Sequence, residues 1–379
     1  MITLSDEQVR LLRIRAQLLA PQTPDMPTSV ATVVKDVCGI QAQDTNAAAL
    51  AIRVRSTVLL ASDIEHARVQ ERTIIRTWGQ RGTLHLLATE DLSWLLQLFS
   101  PVFIAGNRKR REELGLDEDT CVKGIRMLHN ILAEQGPLTR DALVEQLTSH
   151  GLTLVGQARP HLLQRAALEG VICFGPLQDR EPSYVLLSDW VDQEYREHPL
   201  SEAAAYVELT RHYLKAYGPA TPKDQAVWSG LPLSKIRVAW HNIADQLIEV
   251  EIARSPAWML KTQETLLAEL PAQAPIVRLL PYFDTYLLGY QNRDLVVPTQ
   301  YAKRVNAGGG MVHPTLLVDG HVVGTWKNKR EKGGLAVSVE AFEPLANEAI
   351  EGLEAEVVDV ARFLEIAANL HMEPPTLKS

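Results

Sequence analysis

The sequence contains little cysteine. Its three cysteines, Cys38, Cys121 and Cys173, are far apart in a chain of 379 residues, and no two of them form a CxxC pair. An odd number without paired spacing argues against a disulfide framework, a zinc site and an iron–sulfur cluster, so we expect no cofactor and no metal. The simplest location for such a chain is a reducing cytoplasm.

Long apolar runs are also missing from the sequence. No stretch approaches the roughly 20 residues that a membrane helix needs, so we expect no membrane partner. The first ten residues, MITLSDEQVR, lack the basic region and the apolar core of a secretory signal. With 46% hydrophobic and 22% charged residues, the chain is expected to be an ordinary folded protein of several domains.

Positive charge is in the minority, with 38 basic against 46 acidic residues and a formal net charge of −8. From Glu340 onward there are nine acidic residues and only Arg362 and Lys378 as basic ones, which leaves 36 basic against 37 acidic residues in the rest of the chain. Basic clusters stand at 108–111, 303–304 and 327–332. Each cluster alone is more simply a solvated face, but together they permit binding to DNA.

What the sequence does contain is a weak internal repeat. Residues 139–187 predict a short helix (TRDALVEQL) with Thr139 as its N-cap, a second helix (QARPHLLQRAALEG) and two strands (VICFG and SYVLL). The same order returns in TPKDQAVWSG, LSKIRVAWHNIADQ, LIEVEI and AWMLK. A first copy near the N-terminus has the helix SDIEHARVQ and the strands TIIRTW and TLHLL. The repeat therefore predicts hairpins near 73–87, 171–187 and 247–261.

Helices followed by a two-stranded wing are the layout of a winged helix, whose second helix often enters a major groove of DNA. We therefore predict an α+β fold with three tandem winged-helix units, at 1–115, 116–200 and 201–270. The same layout also serves as a protein-contact module, so the fold alone does not fix the function.

The character of the sequence changes after Pro271. An apolar stretch (VRLLPYFDTYLLGY) is followed by a glycine run and by the hairpin PTLLVDGHVVGTWK, in which Asp319 and Gly320 suit a tight type I′ turn. These features predict a β-rich, barrel-like domain over 271–379 that ends in an acidic helix over 347–370.

Two glutamines flank one alanine in the segment GIQAQD. If the segment is extended, Gln41 and Gln43 project to the same side, because strand side chains alternate. In a helix the two side chains would diverge by about 200°. The simpler interpretation is a pair of solvated surface glutamines, because glutamine is mostly exposed in proteins.

Four motifs in order give the sequence a resemblance to the AlkZ-like winged-helix DNA glycosylases. They are the glutamine–apolar–glutamine motif at Gln41 and Gln43, the hairpin RTWGQRGTLHLL, the stretch LLPYFDTYLLGYQNR and the hairpin LLVDGHVVGTWK. The resemblance covers nearly the whole chain. It implies three winged-helix units and the β-rich domain in a C shape around a DNA groove, with double-stranded DNA as the partner of a monomer.

The resemblance also implies an activity, namely monofunctional glycosylase action on N7-alkylated purines and, in some members, on interstrand crosslinks. Such a base is cationic and leaves as a neutral group, so it needs no strong general acid. A glutamine amide does not titrate near neutral pH, but its oxygen can orient a water molecule against the sugar. Gln41 and Gln43 are therefore the expected catalytic residues, in general repair or in self-resistance to a DNA-alkylating toxin.

Seven further residues are candidates for DNA contact: Arg76, Trp78, Arg81, His85, Lys327, Lys329 and Arg330. Alternation along its strand turns His85 away from the core of its hairpin, where contact with DNA and simple exposure are equally expected. Trp78 is more simply a packing anchor. Asp44 is expected to cap the next turn, and Asp284, in apolar surroundings, to have a charged partner or a capping role.

Two other classes of protein compete with a glycosylase of this type. A non-catalytic winged-helix DNA-binding protein or transcriptional regulator would need a strongly basic recognition helix, whereas the two candidate helices are only mildly basic. A helix–hairpin–helix glycosylase with an iron–sulfur cluster does not fit the cysteine pattern. No lysine lies within the glutamine motif, which favours direct hydrolysis over Schiff-base chemistry.

Overall fold

The computed structural model describes residues 2–20, 28–196, 200–267 and 274–374. The chain forms two compact units. The terminal unit consists of Met1–Ile64 and Val207–Ser379, and the central unit consists of Glu65–Tyr206. The fold is of the mixed α+β class, as predicted.

The helices alternate with short strands along most of the chain. In the described residues the α-helices are α1 (Asp6–Ala16), α2 (Val30–Asp36), α3 (Thr45–Arg53), α4 (Ala61–Val69), α5 (Leu92–Gly106), α6 (Arg108–Glu113), α7 (Glu118–Gln135), α8 (Arg140–Ser149), α9 (Ala158–Leu168), α10 (Leu187–Trp190), α11 (Gln193–Arg196), α12 (Glu202–Tyr217), α13 (Pro222–Ser229), α14 (Leu233–Asn242), α15 (Thr285–Leu288), α16 (Ala302–Val305) and α17 (Asn347–Leu364). Short 3-10 helices lie at Gln80–Gly82, Thr89–Asp91, Ala244–Gln246, Lys261–Leu267 and Thr299–Tyr301.

The strands concentrate in the last third of the chain. They are β1 (Ile2–Leu4), β2 (Ile40–Gln41), β3 (Ile74–Trp78), β4 (Leu84–Ala88), β5 (Leu138–Thr139), β6 (Ile172–Gln178), β7 (Glu181–Leu186), β8 (Leu247–Ile252), β9 (Ser255–Leu260), β10 (Val277–Leu280), β11 (Asn306–Gly308), β12 (Met311–Val312), β13 (Thr315–Val318), β14 (His321–Glu331), β15 (Gly334–Ala341) and β16 (Ala368–Glu373).

The central unit contains one full copy of the repeated element order. α8 begins after Thr139, whose side chain accepts a hydrogen bond from the backbone N–H of Ala142, as expected of an N-cap. α9 follows, and Gly170 just beyond it adopts a left-handed φ of 71° that glycine tolerates without strain. β6 and β7 then form an antiparallel hairpin in a sheet of order β5–β7–β6. The predicted order of helix, helix and hairpin over 139–187 is confirmed.

The terminal unit contains the second copy. α13 and α14 precede the hairpin of β8 and β9, and β1 from the N-terminus adds to β8 in parallel. Thr221 caps α13 and forms a capping box with Asp224, so the sequence TPKD specifies this helix start. The hairpins predicted near 171–187 and 247–261 are therefore present, and the one near 73–87 is formed by β3 and β4.

The C-terminal part of the terminal unit is an open sheet of five strands in the order β10–β13–β14–β15–β16. The expected tight turn is present, since Asp319 and Gly320 have positive φ of 48° and 76°. α17 packs on one face of the sheet, where Leu353 and Phe363 meet Trp326 and Val337 in a shared core. The barrel-like prediction is wrong, because the described sheet does not close, and a helix covers one of its faces instead.

The terminal helix also differs from its prediction. α17 ends at Leu364, and Glu365 adopts a left-handed φ of 53° at its C-cap. The following residues form β16, parallel to β15, rather than a helix to 370. Two alternating residues of this strand, Asn369 and His371, pair with Ala336 and Ser338, so strand pairing prevails over the helical pattern of the sequence. The winged-helix character, the C shape and the limits of the four predicted domains stay predictions.

Candidate active site and DNA-contacting residues

The glutamine segment lies between two helices of the terminal unit. α2 ends at Asp36, and the chain then turns through Cys38 and Gly39, both with positive φ (57° and 96°). The N–H of Gly39 donates to the carbonyl of Val34 at 2.8 Å, which closes the helix. Ile40 is buried beyond this turn. A tight helix stop thus leads directly into the extended residues of β2.

Gln41 and Gln43 project to the same side, as their spacing predicts. The side-chain amide of Gln41 donates a hydrogen bond from Nε2 to Oε1 of Gln43 at 2.6 Å. Ala42, between them, is fully buried. Gln41 is 8% exposed, whereas Gln43 is an exposed side chain. Gln41 therefore lies inside the protein and Gln43 at its surface. The hydrogen bond from the amide of Gln41 fixes the orientation of the amide of Gln43.

Asp44 follows the pair and is the N-cap of α3. One oxygen of its carboxylate accepts from the backbone N–H groups of Asn46 and Ala47, at 2.8 and 3.0 Å. The capping role expected for Asp44 is confirmed. Its carboxylate is thereby directed at the helix start, and the Gln41–Gln43 pair supplies the polar groups of this short segment.

Two buried arginines hold the other end of α3. Arg53 donates to Asp359 and Glu356, both at 2.9 Å, and has 1% exposure. Arg55 forms a two-bonded ion pair with Asp284 at 2.8 and 2.9 Å, and neither side chain is exposed. Sequence patterns did not reveal the two arginines, although an unpartnered Asp284 in an apolar stretch was a signal that a buried cation was needed.

Asp284 has both of the roles expected for it. In addition to pairing with Arg55, it is the N-cap of α15 and accepts from the N–H of Tyr286 at 3.0 Å. The guanidinium of Arg55 also donates to Gln17 and Thr285, so the cluster joins α1, the end of α3 and the start of α15. This network ties the C-terminal end of α3, the helix that follows the glutamine segment, to other parts of the terminal unit.

The hairpin of β3 and β4 in the central unit buries more of its polar groups than expected. Arg76 is 7% exposed, and its guanidinium lies 4.4 Å over the ring of Phe174. Trp78 packs on the same ring, with centroids 5.5 Å apart, which confirms its role as an anchor. The placement of Arg76 is that of a packing residue rather than of a surface cation.

His85 is also buried, with 3% exposure, so the interpretation as an exposed strand histidine is wrong. Burial, together with the charge of Arg81, lowers the pKa of His85 to about 3, and its imidazole is neutral near pH 7. Its Nδ1 lies 3.0 Å from the carbonyl of Thr83. Arg81 is half-buried in the turn with a left-handed φ of 56°. Alternation along the strand does not reveal what covers the side chain of His85.

Comparison with known proteins identifies the family. The model of the AlkZ-like DNA glycosylases matches residues 34–363. An interstrand DNA cross-link repair glycosylase of Streptomyces sahachiroi is 30% identical over 376 residues, which cover 94% of this chain and 95% of the relative. The solved structure of the Streptomyces sahachiroi DNA glycosylase AlkZ is 26% identical, with a TM-score of 0.81 over 98% of this chain and 100% of that one.

The chain belongs to the AlkZ-like DNA glycosylase family. It is therefore an enzyme, a DNA glycosylase, and the resemblance noted from the sequence is confirmed. No helix among the described residues is both long and apolar enough to cross a membrane. In the same described part of the chain, no group of three or more histidine, cysteine or acidic side chains could hold a metal ion.

Three of the residues predicted to contact DNA lie on β14. Lys327 is exposed but paired with Glu373 at 2.8 Å, and this carboxylate raises the pKa of Lys327. Lys329 and Arg330 are also exposed. Because side chains alternate along a strand, Lys327 and Lys329 share one face of the sheet and Arg330 projects from the other.

The second basic cluster, at 108–111, differs from β14. Arg108 pairs with Glu112 at 2.8 Å and Arg110 with Glu113 at 3.3 Å, both within α6. Arg111 is only 4% exposed. The acidic residues within α6 thus offset much of the positive charge of this cluster. The more available cations of the AlkZ-like protein lie at the end of β14.

Proposed function

We propose that this DNA glycosylase hydrolyses the N-glycosidic bond of N7-alkylated purines, with Gln41 and Gln43 holding the attacking water. The single observation that carries the proposal is the 2.6 Å hydrogen bond from Gln41 to an exposed Gln43. The buried amide fixes the exposed one, and a carbonyl oxygen that accepts one hydrogen bond has a second lone pair for water.

The chemistry asks for positioning rather than for proton transfer. An N7-alkylated purine carries a positive charge and departs as a neutral base, while the sugar develops oxocarbenium character. An amide dipole aimed at that centre stabilises the developing charge and orients the water without titrating. In this assignment Gln43 contacts the water, and Gln41 contributes by fixing the amide of Gln43. A lyase step is not expected, since the motif contains no lysine.

We extend the proposal to interstrand crosslinks. The Streptomyces sahachiroi relative is named as an interstrand DNA cross-link repair glycosylase, and this chain matches nearly its whole length. A crosslinked guanine stays tethered to the opposite strand, so complete flipping of the base would be awkward. A catalytic amide at the protein surface, such as that of Gln43, suits a substrate of this kind. The same chemistry serves general repair and self-resistance to an alkylating toxin.

The architecture around the site is part of the proposal. We propose winged-helix units at 1–115, 116–200 and 201–270, a C-terminal domain at 271–379 and a C-shaped groove for double-stranded DNA. The repeated order of helix, helix and hairpin supports the units. A monomer in the cytoplasm stays a prediction. The competing function of a non-catalytic regulator is disfavoured by the glycosylase family match.

The test is incubation of the protein with duplex DNA that contains one N7-methylguanine. We expect free base and abasic sites, no strand cleavage beyond that of abasic DNA, and no release from undamaged DNA. Replacing Gln43 with glutamate should keep part of the activity, because a carboxylate can also hold water and favours a cationic sugar. Tight DNA binding without any base release would contradict the proposal.

A further inference from the structure

An exposed tyrosine stands at one wall of a groove in the terminal unit. Tyr282 follows β10 and is 39% exposed. The next residue, Phe283, has a left-handed φ of 58°, a conformation uncommon for a bulky side chain. Its N–H donates to the carbonyl of Val312 at 3.2 Å. Phe283 packs on the core, and this turn leaves the ring of Tyr282 outside.

The groove beside Tyr282 has a volume of about 330 Å³ and is walled by a second ring. The centroid of the His313 imidazole lies 5.8 Å from that of Tyr282, with the planes tilted by 55°. Trp326 also lines the groove and is fixed by a hydrogen bond from its indole N–H to the carbonyl of Leu280 at 2.7 Å. The rings of Tyr282 and His313 therefore form an aromatic wall, and Trp326, whose side chain is 4% exposed and packs in the core, holds the backbone beneath it in place.

The rest of the lining comes from the open face of the five-stranded sheet. Thr325 and Lys327 of β14 stand opposite Glu340 and Ser338 of β15, so hydroxyl groups and charges alternate there. The charges are paired, since Lys327 binds Glu373 at 2.8 Å. In the same groove Arg304 binds Glu340 at 2.7 Å. The groove is therefore polar but close to neutral.

This chemistry selects the class of ligand. A free phosphate needs unpaired cations, whereas the two cations of this groove already have carboxylate partners. A flat, uncharged group with hydrogen-bonding edges matches aromatic rings beside hydroxyls and charge pairs. A nucleobase that has left its stack is such a group, and stacking on an aromatic side chain is how proteins hold one. Lys329, one step along the same sheet face, could take the adjoining phosphate.

We propose that the groove of Tyr282 and His313 binds an unstacked nucleobase of the DNA substrate. The proposal rests on the proposed function only in taking DNA as the substrate. It assigns Tyr282 a binding role that neither the glutamine motif nor the basic clusters account for. A duplex with a locally opened stack, as at a bulky lesion, would gain affinity from this groove, and a fully stacked duplex would not.

The test compares two undamaged duplexes, one fully paired and one with a single extra unpaired adenine, by fluorescence anisotropy. Wild-type protein should bind the bulged duplex at least fivefold more tightly. Tyr282→Ala should lose roughly 5- to 100-fold in affinity for the bulged duplex and little for the paired one. Tyr282→Phe should bind like the wild type, because stacking needs the ring and not the hydroxyl. Val358→Ala, at a 68% exposed position on α17, is the matched control.

Three results would overturn the proposal: no preference of the wild type for the bulge, an unchanged preference in Tyr282→Ala, or an equal loss in Tyr282→Phe. Release of N7-methylguanine by the same preparations is measured in parallel. If base release persists while the bulge preference is absent, the groove assignment fails and the glycosylase function stands. If the wild type releases no base and shows no bulge preference, both fail.

Discussion

The two ends of α3 carry polar side chains in opposite environments. At the N-terminal end, Gln41 and Gln43 form a pair that reaches the surface and makes a neutral hydrogen bond. At the C-terminal end, Arg53 and Arg55 are buried and each binds carboxylates. The difference separates two uses of polar groups. A fully paired buried cluster fixes the position of a helix, whereas the uncharged pair has one buried amide, Gln41, and one exposed amide, Gln43, which we propose contacts the substrate.

This contrast bears on how the enzyme holds the two glutamines for the catalytic role that we propose for them. Catalysis by positioning tolerates little displacement, because a shift of about 1 Å can cost 100-fold in rate. The buried clusters join α3 to residues 229 and 303 positions away in the sequence, so the start of the helix, with Asp44 as its cap, is held by distant parts of the chain. The terminal unit therefore supports the glutamines through this helix.

The largest expected effect concerns the buried end. Asp284→Ala leaves Arg55 as an uncompensated buried charge, and we expect a loss of about 3–5 kcal/mol in the free energy of unfolding. Gln43→Ala, at the exposed end, should change it by less than about 0.5 kcal/mol. Urea denaturation of the two variants measures the contrast. Equal stability of both variants would show that the two ends do not differ in the way described.

The next prediction concerns how the free energy of unfolding depends on pH through His85, a buried side chain of the central unit. The folded pKa of His85 is lowered to about 3, while the unfolded chain has the ordinary value near 6.5. The unfolded state therefore binds more protons between these values, and stability is full above pH 6.5 and falls as the pH drops toward 3.

Between pH 7.5 and 5.0 we expect His85 to remove about 2 kcal/mol from the free energy of unfolding. The measurement is urea denaturation at both pH values for the wild type and for His85→Gln, which should lack this part of the loss. His129→Gln, at an exposed histidine, is the control and should behave like the wild type. Identical pH dependence in His85→Gln and the wild type would contradict a buried neutral imidazole.

The smallest effect concerns the cations at the end of β14. Lys329→Ala and Arg330→Ala should each reduce the slope of log affinity against log salt by up to about 0.9, and similarly for damaged and undamaged duplex. Arg108→Ala should change the slope less, because Glu112 already pairs with that guanidinium. Affinity that stays flat as salt rises would exclude phosphate contacts as the main source of DNA binding.

Local patterns predicted the parts of the site that depend on neighbours in sequence. The spacing of Gln41 and Gln43 fixed their common side, and the positions of Asp44 and Asp284 before short helices indicated their caps. The repeat located the hairpins. In each case the controlling interactions span only a few residues, so alternation, capping and turn chemistry are sufficient.

Long-range packing decided the features that the sequence did not reveal. Alternation placed His85 on one face of β4, but burial of that face depends on the folded surroundings, as does the stacking of Arg76 on Phe174. The carboxylate partners of Arg53, Glu356 and Asp359, lie more than 300 residues away in the sequence. The strand after α17 forms because β15 offers a free edge to it, and no pattern within 365–373 indicates that edge.

The central claim is that the amides of Gln41 and Gln43 orient the attacking water, and it is tested most directly by single-turnover release of N7-methylguanine. Gln43→Ala and Gln41→Ala should each lower the rate by about 100- to 1000-fold, which corresponds to about 2.7–4 kcal/mol in the barrier. Affinity for the damaged duplex should stay at the wild-type value in both variants, and the free energy of unfolding should stay there in Gln43→Ala, whose side chain is exposed. Release of N7-methylguanine at the wild-type rate by both variants would contradict the account.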